Sequence, residues 1–246
     1  MSLFKKFAAP ADMEAARDTL GGAPTFASDI YRGTVKMAYL DKWGSGAMYV
    51  ALTLNLDGTD YQENITITNK AGECFYVKND KKYPLPGYTT IDDLCQVTAG
   101  APLSEMDAHT EEKQVKVYDS EARAEVPKIK QVLVGLLGKE VAVAIQQSTE
   151  TKMDKDADGK YTVPTAETRT NNSIEKVFEP ESMLTVVEAT NGLTAGEFHK
   201  AWSEKNKGVT RDKTVKGAPG AAPGKAAPQA GAAAPAGRKP LFGNKG

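Results

Sequence analysis

Cysteine and histidine are nearly missing from this chain. Cys74, Cys95, His109 and His199 are the only four such residues in 246. With no CxxC pair and no clustered histidines, a zinc site has no ligand set and a disulfide framework has no basis. The same scarcity removes the base that nucleophilic catalysis needs, since neither histidine sits in a motif with a Ser or Cys partner. No glycine-rich loop precedes a helix, so a dinucleotide or P-loop phosphate cradle has no support. Long apolar runs are absent too. Nothing approaches the length of a membrane span, and Met1 to Phe7 lacks the hydrophobic stretch of a signal peptide. What these absences leave is a reduced, cytoplasmic, non-enzymatic protein with no cofactor, metal or membrane.

What is present is charge, unevenly spread. From Lys205 to Gly246 there are nine Lys/Arg against the single Asp212, net +8, while residues 1–204 carry 22 against 31 acids, net -9. The body is acidic and the tail basic. An acidic body weighs against nucleic-acid binding, since a duplex binder usually displays a broad basic surface; it is compatible with a narrow basic groove with acid elsewhere, which would reduce indiscriminate sticking to polyanions. Beyond Lys207 the Ala, Pro, Gly and Lys content cannot bury enough apolar surface to offset chain entropy. The expected organisation is one domain over residues 1–211 and a disordered basic tail over 212–246.

Within the body, Pro10 to Leu20 has helical composition, capped by Asp12 and stopped by Gly21-Gly22. From Ile30 the period becomes two, with Tyr31, Val35, Met37 and Tyr39 on one side and Arg32, Thr34 and Lys36 on the other. Met48, Val50, Leu52, Leu54 and Leu56 then alternate with Tyr49, Ala51, Thr53 and Asn55. Asp57-Gly58 is a hairpin turn, and Tyr61, Ile65 and Ile67 alternate on its far side. The pattern predicts a three-stranded antiparallel meander. Cys74 to Lys78 reads as a strand, Lys81 to Gly87 as turn-rich, and Thr89 to Val97 as a short helix capped by Thr90 with Asp92 and Asp93 in its first turn. Further strands are expected at Lys113–Tyr118, Lys139–Thr149 (Val141, Val143 and Ile145 inward) and Met183–Glu188. Val126 to Leu137 has mixed spacing and no assignment. On a helix over Thr194–Lys205, Phe198 and Trp202 are four apart and share a core face. Asp154 to Gly159 opens like a calcium loop, but its twelfth position is Thr165 and Pro164 interrupts it, so it reads as a hairpin tip.

Seven of the nine tyrosines lie between Phe26 and Tyr88, interleaved with Arg32, Lys36, Lys42, Lys70, Lys78, Lys81 and Lys82. Tyrosines suit half-buried strands for purely structural reasons, so strand parity decides which rings matter. Arg32 and Lys36 fall on the wet side of the first strand and Tyr49 on that of the second, with Lys42-Trp43 in the connecting loop. Adjacent Phe75 and Tyr76 must point to opposite faces, which puts one of them outside. Rings and cations on one sheet make a platform for single-stranded nucleic acid: bases stack and cations follow the phosphates. The candidate DNA-binding set is Arg32, Lys36, Lys42, Trp43, Tyr49, Phe75, Tyr76, Lys78 and Lys82. A β-barrel protein-interaction module, whose Tyr-rich face takes polypeptide, is the alternative.

Four groups of residues carry a family likeness: Lys36 to Lys42 with Gly46-Ala47-Met48; Ile65 to Glu73; Lys82 to Thr89; and Leu184 to Ala189 with Phe198 to Asp212. Together they resemble the single-stranded-DNA-binding proteins of tailed phages, over roughly residues 1–212. The resemblance implies an OB-like five-stranded Greek-key barrel with elaborated loops. It also implies a non-enzymatic role in coating strands during phage DNA replication, recombination and repair, in the cytoplasm of the infected bacterial host. Many replication single-strand binders end in an acidic tail with a terminal Phe, whereas this tail is basic. It still presents Leu241-Phe242 near its end, a candidate docking pair for a phage polymerase, helicase or recombinase.

Overall fold

The computed structural model describes residues 25–119 and 121–216. The helix expected over Pro10–Leu20, the pair Leu241 and Phe242, and the tail beyond Lys216 lie outside the described residues. The chain divides into two compact units. Among the described residues, one takes in those up to Gln147 together with Asn172–Thr210, the other Ser148–Asn171 together with those from Arg211 to Lys216.

The first unit is built on the meander. Strands β1 (Asp29–Lys42), β2 (Met48–Leu56) and β3 (Thr59–Thr66) pair antiparallel, and the Asp57-Gly58 turn has left-handed backbone at both residues. Val50, Leu52, Leu54 and Leu56 from β2 and Tyr61 and Ile65 from β3 are buried, as the period of two requires. One expectation fails inside β1. Its register against β2 slips between Val35 and Met37. The bulge at Lys36 reverses parity, so Ala38 and Leu40 turn to the core and Met37 and Tyr39 join the outer face.

The segment Phe75–Lys78 (β4) pairs with Lys81–Pro84 (β5) as a separate two-stranded sheet. The expected turn over Lys81–Gly87 is therefore a strand; the turn itself is Asn79-Asp80, both left-handed. Helix α1 runs Pro86–Ala99, not from Thr89, because Pro86 supplies a preset first-turn φ; Gly100 (φ 71°) ends it. Thr90 is no cap: its hydroxyl donates to the Pro86 carbonyl. Ile91, Leu94 and Cys95 enter the core with Asp93 beside them, and Lys176 faces the Asp93 carboxylate at 3.5 Å.

After a 3-10 turn at Leu103–His109, β6 (Glu111–Asp119) and β7 (Ala124–Val132) form a hairpin, and β7 also pairs with β1 at Tyr39 and Leu40. The stretch without a sequence assignment is thus strand followed by a 3-10 turn at Val134–Leu136. β8 (Glu140–Lys155) pairs with the first half of β1 and with β9 (Tyr161–Phe178). Val141, Val143 and Ile145 point inward as expected. Ala142 and Ala144 are buried as well, under Phe178 and Trp202.

The expected strand at Met183–Glu188 is absent. Thr185 instead caps the short helix α2 (Val186–Thr190): Thr185 Oγ1 accepts from the Glu188 amide and the Glu188 carboxylate accepts from the Thr185 amide. Helix α3 spans Phe198–Asn206. Trp202 is buried, but Phe198 is 42% exposed, so the two do not share a core face. Among the described residues, no ladder joins β3 to β9. There the Ile174 amide of β9 donates to the Glu63 carboxylate of β3 at 2.9 Å, and the same oxygen accepts from Tyr61 Oη at 2.8 Å.

In the second unit, Arg211–Lys213 (β10) lies parallel to Ser148–Glu150 of β8, so regular structure continues past the expected boundary at 212. The calcium-like segment is a turn. The Asp156 carboxylate accepts from the amides of Asp158 and Lys160 and from Thr162 Oγ1. Among the described residues, no helix is long and apolar enough to cross a membrane.

Candidate nucleic-acid interface

Two aromatic pairs stand on the first unit. The first is at the β1–β2 turn. Register places Asp41 opposite Tyr49 and Tyr49 opposite Thr66, all on the face away from the core. Trp43 folds back over Tyr49, ring centroids 4.2 Å apart and planes 29° apart, and its Nε1 donates to Thr66 Oγ1 at 2.9 Å. The indole is 40% exposed, so one of its faces packs while the other side remains open to solvent. Asp41 holds the assembly. Its carboxylate accepts from Tyr49 Oη at 3.2 Å and from the Lys42 amide, and pairs with Lys130 of β7 at 2.6 Å. Burial pushes the Asp41 carboxyl up, but Lys130 and the other donors outweigh it and hold it below the ordinary carboxylate value. Burial, reinforced by Asp41, pushes the Tyr49 phenol up to about 12, so it stays a donor.

The second pair is on the β4–β5 hairpin. Tyr76 and Tyr83 are directly opposed and stacked, centroids 5.6 Å and planes 25° apart, and are 45% and 39% exposed. Lys78 and Lys81, the next opposed pair, share their face because opposed residues point the same way. The other face carries Phe75, with Lys82 Nζ 4.4 Å above its ring, beside Pro84. The hairpin base closes through the Leu85 amide on the Cys74 carbonyl. Gly87, at the start of α1, then lies hard against the Thr66 carbonyl, where an added Cβ would stand 2.2 Å from that oxygen. Both pairs are thus anchored on Thr66, one through its hydroxyl and one through its carbonyl.

Of the residues expected from sequence, Lys42, Trp43 and Tyr49 come together at the turn, and Phe75, Tyr76, Lys78 and Lys82 on the hairpin. Tyr76 is the outward ring, and Phe75 is covered by Lys82. The remaining two do not join them. Lys36 sits at the bulge and ion-pairs with Asp60 at 2.5 Å. Arg32 lies ten residues back along β1 from Lys42, roughly 33 Å at strand rise, beside Asp57, Glu140 and Glu181. Arg32 and Lys36 are exposed on β1 as expected, but they stand back along the strand from Trp43 and Tyr49. Sequence reasoning missed Tyr83, Lys81, Thr66, Asp41 and Lys130. Tyr83 and Lys81 were legible, since Tyr76-Val77-Lys78 and Lys81-Lys82-Tyr83 flank Asn79-Asp80 as a hairpin. Lys130 had no local signal, because only the β7–β1 ladder brings it to Asp41. No protein-family model matches this chain, and no curated protein matches it significantly.

Proposed function

We propose that this protein binds and coats single-stranded DNA without strong sequence preference, as a non-enzymatic component of phage DNA replication, recombination and repair. The observation that carries the reading is the Trp43–Tyr49 stack: an indole, 40% exposed, resting on a tyrosine whose hydroxyl donates to a carboxylate, and itself bonded to a threonine hydroxyl. Such a ring accepts any base, each stacked base contributing about 1–3 kcal/mol. Lys42 at the end of β1 is exposed and stands next to the indole in sequence, suited to the phosphate that follows a stacked base. The OB-like Greek-key architecture is part of the same proposal. It is supported by a meander whose first strand also pairs with β8, by a helix placed after β3, and by the approach of β3 and β9 at Glu63 and Ile174.

The test is fluorescence anisotropy of labelled poly-dT across a salt series, with equal-length duplex as competitor. The expected result is binding that duplex does not displace, that weakens steeply with salt, and that falls on Trp43→Ala. No binding at low salt overturns the reading and leaves the peptide-binding module.

A further inference from the structure

We propose that the β4–β5 hairpin is a second, separate stacking platform on which Tyr76 and Tyr83 receive one base and Lys78 and Lys81 hold its flanking phosphates. This rests on the single-strand reading above and extends it to a site of its own. A cross-strand tyrosine pair stabilises a hairpin by itself, so the stacked rings alone do not point to a ligand. Three further observations do.

First, the hairpin is polarised. Its apolar and self-satisfied groups, Phe75 under Lys82 and Pro84, occupy one face, while the opposite face combines two exposed rings with two lysines. Among the described residues, no ion pair engages Lys78 or Lys81.

Second, the local charge opposes that of the body. From Lys70 to Pro84 there are four lysines against Glu73 and Asp80, whereas residues 1–204 together are net -9. A positive island bearing aromatic rings is complementary to a polyanion with exposed bases, and a duplex, whose bases are stacked on one another, cannot use the rings. Third, the platform is tied to the main sheet although it stands outside it. The left-handed Asn79-Asp80 turn closes one end. The Leu85–Cys74 bond and the Gly87–Thr66 contact fix the other, on the same residue that orients Trp43. A strand that stacks on Trp43 can therefore meet a second ring surface whose base packs on the residue that orients the first.

The experiment is a ladder of oligo-dT lengths titrated against wild type, Tyr76→Leu/Tyr83→Leu, Lys78→Gln/Lys81→Gln and Trp43→Ala. Leucines preserve an apolar cross-strand contact but cannot stack a base, and thermal unfolding verifies that each variant is folded. The leucine pair is expected to lower affinity roughly 5- to 150-fold for long oligonucleotides. For the shortest oligonucleotide that binds, which Trp43 can hold alone, affinity changes much less. The glutamine pair is expected to flatten the slope of log K against log salt by about 1.4, two single-strand phosphate contacts at about 0.7 each. If folded leucine and glutamine pairs keep wild-type affinity and salt slope at every length while Trp43→Ala loses affinity, the second platform is wrong and the coating function stands. If wild type binds no oligonucleotide at any length, both fall together.

Discussion

At the scale of single residues, the candidate interface depends on how few atoms hold it. Thr66 orients Trp43 through its hydroxyl and seats Gly87 through its carbonyl. Replacing Gly87 by alanine favours the helix by about 0.5–1 kcal/mol, but the new Cβ meets backbone that no rotamer can move away. Overpacking of this kind costs about 1–3 kcal/mol, so Gly87→Ala is expected to lower stability in a denaturant titration. Stability at or above wild type would refute the close approach. Tyr49 gives a second test, because its ring and its hydroxyl serve different ends. Tyr49→Phe keeps the stack under Trp43 and loses one hydrogen bond to Asp41, about 1 kcal/mol of stability, with oligo-dT affinity little changed. Tyr49→Ala removes the seat of the indole and is expected to lower affinity as well. Equal affinities for the two variants would mean that the stack plays no part in binding. Tyr49 and Trp43 were legible because strand parity and a short turn fix where they point. Met37 and Tyr39 were placed on the wrong face because one bulged residue is invisible to a period of two.

At the scale of elements, local chemistry decided the shorter pieces and alternation misjudged them. Met183 to Glu188 alternates well enough to pass for a strand, yet Thr185-Val186-Val187-Glu188 is a capping box, whose reciprocal bonds satisfy amides that a strand would have to pair elsewhere. The same carboxylate does more. One Glu188 oxygen accepts from the amides of Glu197 and Phe198, so it also caps α3, which has no side-chain cap of its own. Burial raises the Glu188 carboxyl, but these bonds prevail and bring it down to about 2. Because the folded value lies below the ordinary 4.5, its contribution is present above 4.5 and is lost as pH falls toward about 2. Glu188→Gln turns one acceptor oxygen into a donor facing donors. It is expected to be less stable than wild type at neutral pH, with the gap closing between 4.5 and about 2 in acid unfolding curves. A gap constant with pH would show that the charge is not what caps the two helices. Of the β6–β7 hairpin, β6 was legible and β7 was not, for a different reason: Pro127 and apolar residues on both faces obscure its alternation, and its pairing with β1 is long-range.

At the scale of the molecule, the largest departure from a regular sheet is the meeting of β3 and β9, where a carboxylate stands in for a ladder. Glu63 points to the same side as Tyr61 and Ile65, and nothing in the sequence marked it, since an acid among inward positions reads as an interruption of the pattern. Its one oxygen accepts from both Tyr61 Oη and the Ile174 amide. Burial raises the Glu63 carboxyl, and the two donors lower it without cancelling the rise. With the folded value above the ordinary 4.5, the contribution to stability is fully present below that value and is lost as pH climbs through the raised one. At neutral pH this junction therefore carries the cost of a desolvated charge. Glutamine retains an oxygen able to accept both bonds and has no charge to desolvate, so Glu63→Gln is expected to equal wild type in mild acid and to exceed it increasingly as pH rises. Glu63→Ala leaves the hydroxyl and the amide without their partner, at about 1–3 kcal/mol for each buried group, and is expected to be destabilised at every pH. Chemical denaturation of the three proteins across the range from pH 4 upward separates these outcomes. A glutamine variant that loses stability relative to wild type as pH rises would mean that the ionised carboxylate is the fastening between β3 and β9, and that its hydrogen bonds to Tyr61 and Ile174 depend on the charge.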